Sequence, residues 1–132
     1  MQYIAIFTGN PTAGGTDGAE VSQDGVMSTP VTAGIAVGGS DVIVPLAVRC
    51  ASGYEADGNI TVSVETKSGS NYSAGNEFVK VATSQNGSYG NSITLSGVDD
   101  TNTLFYCKLK ANAAAGTYTS AALRLQGTVS GV

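Results

Sequence analysis

The chain has 132 residues, of which 42% are apolar and 12% charged, with eighteen glycines and a formal net charge of −4. One domain of ordinary size fits that length. The charged fraction is about half of the usual ~25%, and six Lys or Arg residues are too few to build a basic face for nucleic acid. No apolar run approaches the ~18 residues of a membrane-spanning helix.

In chain order, the first element is a short apolar run, Tyr3, Ile4, Ala5, Ile6 and Phe7, which is expected to form a strand. It leads into "TGNPTAGGTDG". A strand followed by glycines is how many nucleotide sites open, but this stretch has no Lys for a phosphate and its glycines do not follow G-x-G-x-x-G. It is read instead as an extended or mobile tether. Residues 1–28 are therefore expected to be an N-terminal strand and arm, and residues 29–132 a separate folded domain. The run before the glycines is too short for the apolar region of a secretory signal and lacks a basic start. A chain that begins at Met1 is expected to stay in the cytoplasm or to leave by lysis.

Beyond the arm, apolar residues alternate with period two, the signature of half-buried strands. In "DVIVPLAVRC", Val42, Val44, Leu46, Val48 and Cys50 share a face, and Pro45 marks an edge or a bulge. In "NITVSVETK", Ile60, Val62 and Val64 line up opposite Thr61, Ser63 and Glu65. In "TLFYCKLK", Phe105, Cys107 and Leu109 face one way and Lys108 and Lys110 the other. In "YTSAALRLQG", Ala121, Leu123 and Leu125 alternate with Ser120, Ala122 and Arg124. Shorter strands are expected over 31–37, 77–83 and 91–96. Asn86-Gly87 predicts a two-residue hairpin, Asp57-Gly58 and "GVDDTN" predict turns, and Gly116 turns the last pair. About seven antiparallel strands punctuated in this way fit an all-β immunoglobulin-like sandwich. An up-and-down or jelly-roll barrel is the competing architecture.

Residues able to do chemistry are sparse. The chain has no His and two Cys, which removes Ser-His-Asp and Cys-His pairs and four-ligand zinc clusters. Asp99 and Asp100 are adjacent and fall in a turn, where Asx-type bonding accounts for them. A calcium site on Asp57, Asn59, Asp99 or Asp100 would lack the spaced acidic pattern. No enzyme activity, cofactor or metal site is expected. Tyr54, Tyr72 and Tyr89 fall at predicted loops or strand ends, where rings anchor loops or, grouped together, contact a glycan.

Two segments resemble a known group. "VKVATSQNGSYGNSITLSGVDDTNTLFYCKLKANAAAGTYTSAALRLQG" resembles an immunoglobulin-like module of bacteria and phages, with Gly116, Thr117 and Tyr118 as its closing signal. The opening "MQYIAIFTGNPTAGGTDGAEVSQDG" is similar to small proteins encoded in tail or capsid regions of prophages. The resemblance implies a non-enzymatic structural or accessory protein of the virion: a head decoration, tail or neck component. Its partners would be copies of itself or other capsid or tail proteins, with no nucleic acid or membrane partner. The apolar run 3–7 would then be an assembly arm that adds a strand to a sheet of its own or a neighbouring subunit. Deleting residues 1–24 would leave a folded domain that no longer assembles. The alternative is a module that binds carbohydrate on a host surface. The immunoglobulin comparison also implies a disulfide between Cys50 and Cys107 across the two sheets. Against it, the chain has no Trp and carries Phe105 where that core has a tyrosine; two buried free thiols are the other possibility.

Overall fold

The structure, a computed structural model, describes residues 3–20, 26–27, 41–68, 71–76, 79–109 and 121–132. The strand expected over 31–37 and the turn at Gly116 lie outside these residues. The described chain is all-β and contains no helix, as the period-two alternation requires. Its strands are β1 (Ile4–Thr8), β2 (Ala19–Glu20), β3 (Val26–Met27), β4 (Val42–Cys50), β5 (Tyr54–Ala56), β6 (Ile60–Ser68), β7 (Asn71–Ala74), β8 (Val79–Ala82), β9 (Ser92–Leu95), β10 (Thr103–Leu109), β11 (Ala121–Gln126) and β12 (Val129–Gly131).

Among the described residues every strand pairing is antiparallel, and the strands form open sheets, not a closed barrel. The first sheet runs β2-β1-β4-β10-β8. The second runs β3-β11-β6-β7, and β9 also pairs with β6. A two-stranded ribbon, β12-β5, adjoins them. One core joins the two large sheets: Ile6, Leu46, Val48, Val81, Phe105 and Cys107 come from the first, and Ile60, Val62, Val64, Ile93 and Leu123 from the second. Two sheets over a shared apolar layer is the arrangement of a β-sandwich.

The alternation selects the faces as read. Ile60, Val62 and Val64 are buried and Thr61, Ser63 and Glu65 are not. Phe105, Cys107 and Leu109 are buried, and Lys108 is only half-buried. Val42 departs from its expected face, being 37% exposed at the start of β4. Pro45 sits in a strand that is central to its sheet. However, β1 pairs only with Ala47 to Cys50, so among the described residues the Pro45 segment has β10 on one side and no strand on the other. The missing amide is tolerated at such a local edge.

Two expectations are corrected. Asn86-Gly87 does not make a two-residue hairpin. Gly87 N donates to Ser84 O at 3.0 Å, so Gln85 and Asn86 are the central pair and Gly87 closes the turn, a place that favours glycine in a type I turn. The flanking strands then part, β8 to the first sheet and β9 to the second. The second correction concerns the cysteines. β4 and β10 are neighbours in one sheet, and Cys107 is opposite Val44, six positions from Cys50. At ~3.3 Å per residue that offset is roughly 20 Å along the strand, far beyond the ~7 Å Cα limit for a disulfide. Both thiols are free and buried. Burial, then the nearby Asp99, Asp100 and Glu55, pushes the Cys50 thiol up to about 11, and burial alone pushes Cys107 up to about 12.

Candidate functional site

The run read as an arm is a strand of the chain's own first sheet. Ile4, Ala5, Ile6 and Phe7 pair with Cys50, Arg49, Val48 and Ala47 of β4. On its other edge, Phe7 and Thr8 pair with Glu20 and Ala19 of β2. Alternation sends Ile6 into the shared core, where it is fully buried. Ala5 and Phe7 point to the opposite face of the sheet and are also buried. At Phe7 the outer face is covered by the glycine-rich loop and by the Arg49 guanidinium.

Residues 9–18 do not extend as a tether. They turn back across the sheet, burying Pro11. The glycines serve the reversal. Gly18 has φ +105°, and a Cβ there would lie 3.0 Å from Thr8 O and 3.1 Å from Phe7 Cβ. Asn10 also takes a positive φ, 57°, a region that Asn tolerates better than most residues. Composition suggested looseness because glycine serves both tight reversals and flexible linkers.

A polar cluster pins the loop. Asn102, which is buried, donates from Nδ2 to Thr12 O at 3.0 Å and to Asp17 Oδ1 at 2.9 Å. Its backbone closes the same contact twice, as Gly14 N donates to Asn102 O at 3.0 Å and Asn102 N to Gly15 O at 2.8 Å. Asp17 accepts the Thr12 amide and hydroxyl, each at 2.8 Å. These bonds hold the Asp17 carboxyl below the usual value, with the Thr12 amide first among the causes. Arg49 donates to Asp17 O and to Asn102 Oδ1, both at 3.0 Å, and its guanidinium carbon is 3.8 Å from the Phe7 ring centroid. This stacking joins the polar cluster to the buried aromatic. None of Asn102, Arg49 and Asp17 was marked by the sequence, because the contacts span 85 to 90 residues for Asn102 and follow no local motif.

Asn102→Ala removes the side-chain donor to Thr12 and Asp17 and the acceptor for Arg49. The expected cost is about 1–3 kcal/mol, the usual range when a buried polar partner is lost. Hydrogen exchange should quicken at Gly14 and Gly15, with the amides of β6 and β11 unchanged.

The other singled-out residues are dispersed. Tyr54 belongs to the β5-β12 ribbon and packs on Tyr3, with ring centroids 5.2 Å apart and planes tilted by 59°. Tyr72 is in β7 of the second sheet, with the Arg124 guanidinium 5.5 Å from its ring. Tyr89 lies between β8 and β9 and packs against Lys108 of the first sheet, with Nζ 4.3 Å from the ring centroid. These three rings do not form one platform. Asp99 accepts the Thr101 amide at 2.8 Å and its hydroxyl at 2.6 Å, the Asx-type turn read from the sequence. Asp100 accepts the Gly53 amide at 3.4 Å. Among the described residues no three His, Cys, Asp or Glu side chains converge as a metal site would require. No family model, curated protein or solved structure gives a significant match to the chain.

Proposed function

We propose that this chain is a non-enzymatic structural or accessory protein of a bacteriophage particle. In this reading it is a head decoration, tail or neck component, works through protein–protein assembly in the virion, and meets copies of itself or other capsid and tail proteins. The observation that carries the reading is the outer side of β1. β2 pairs with it only at Phe7 and Thr8, so among the described residues Ile4 to Ile6 have β4 on one side and no strand on the other. An open strand edge of this kind is where assembling subunits add a strand. The immunoglobulin-like resemblance of residues 79–127 points the same way.

The test is made on particles. Phage particles from a bacterium carrying the gene are purified by density-gradient sedimentation and analysed by mass spectrometry. The chain is expected in the particle band at a fixed ratio to the major capsid or tail protein, and to stay there after a high-salt wash. Its confinement to the unsedimented fraction, with particles free of it, would overturn the proposal.

A further inference from the structure

The outer face of the first sheet holds a pair of lysines where strand pairing disfavours them. Lys80 of β8 lies directly opposite Lys108 of β10. Like charges placed directly across a strand pair are destabilising, and the chain has only six Lys and Arg residues in all, against a net charge of −4. Both side chains reach toward one segment. Lys80 Nζ donates to Asn91 Oδ1 at 2.6 Å, and Lys108 Nζ lies over the Tyr89 ring. Neither contact is with a carboxylate. Tyr89 is held by its own hydroxyl, which donates to Gln85 O at 2.7 Å. Tyr106, two residues before Lys108, falls on the same face by alternation and is half-buried.

Two ammonium groups directly across a strand pair, one of them over the anchored Tyr89 ring, break a local rule of sheet stability, and such breaks concentrate at functional sites. We propose that Lys80, Lys108, Tyr89 and Tyr106 form a binding face for an acidic polysaccharide. The carboxylates of such a chain would meet the ammonium groups, and the apolar faces of its rings would lie on the tyrosines. Charge complementarity selects an anion. The rings select a saccharide over an acidic peptide, which has no flat apolar face of that kind. Nucleic acid is disfavoured by the net negative charge and by a face of two cations, since duplex and single strands demand many phosphate contacts. The proposal stands independently of the particle role.

Polygalacturonate is the probe, in native affinity electrophoresis at low salt, with neutral dextran, polyglutamate and oligothymidylate as comparisons. The parent is expected to be retarded by polygalacturonate alone. Lys80→Gln with Lys108→Gln should weaken retardation about tenfold or more, as loss of charge-assisted contacts does, while the paired Arg replacements retain it. The Gln double variant should melt no lower than the parent, because it relieves the like-charge pair. No retardation by polygalacturonate, or undiminished retardation of the Gln double variant, would sink the idea. Equal retardation by polyglutamate or oligothymidylate would also overturn it, replacing it with plain anion or nucleic-acid binding.

Discussion

Ile6→Ala is expected to lower the unfolding free energy by about 2–5 kcal/mol, the range for truncating a fully buried aliphatic side chain. The side chain is 0% exposed, and its residue pairs with Val48. A domain of ordinary stability has roughly 5–15 kcal/mol in all, so the urea midpoint should fall steeply. Tyr3→Ala, at a position 49% exposed, should cost less, about 0.5–1.5 kcal/mol, the worth of its ring contact with Tyr54. The contrast separates two pictures of residues 3–7. If the run served only to reach a neighbour, Ile6→Ala would leave the free chain's stability untouched. Because the strand is part of the core, the expectation that deleting residues 1–24 leaves a sound domain no longer holds. That deletion strips a neighbouring strand from β4 and removes Ile6, Phe7 and the loop that covers Phe7. Assembly and folding are better separated by exposed changes on the loop, at Ala13 or Thr16, which leave the contacts among Thr12, Asp17 and Asn102 in place.

The strands were legible wherever one face meets the core and the other meets water. Ile60, Val62 and Val64 on β6, and Phe105, Cys107 and Leu109 on β10, carry this pattern in its simplest form. β1 was legible as a strand from its apolar run, but its role was not. Its two faces are both buried, at Ile6 and at Phe7, because the loop folds over the outer face, and a short run of apolar residues reads the same whether it is covered or exposed. The glycine-rich loop was misjudged for a related reason. Its order comes from Asn102 and Arg49, both distant in sequence, and composition carries no trace of such contacts. The pairing of strands was least legible. Two cysteines on inward faces are compatible with opposite sheets or with one, and only the β4–β10 register places them at opposite ends of neighbouring strands. The Lys80–Lys108 pair escaped notice for the same reason, since it exists only through the β8–β10 register.

Phe105→Ala should be the most costly single truncation, about 3–5 kcal/mol. Phe105 is fully buried and heads the largest side chains of the core. It sits near the middle of β10, which is flanked by β4 and β8, so its ring can be replaced neither by water nor by movement of an edge strand. Its direct cross-strand partner is Leu46, also fully buried. Side chains that share a contact and a cavity do not contribute additively. The double variant Phe105→Ala with Leu46→Ala should therefore cost less than the sum of the two single changes, by roughly 0.5–3 kcal/mol, because the second truncation enlarges a cavity that already exists. Urea titration of the four proteins measures this coupling. An additive result would mean that the two side chains do not share a packing layer, contrary to the register. A coupled result fixes β4 and β10 as the structural centre of the first sheet, the platform on which β1 docks at one edge and the Lys80–Lys108 face is built at the other.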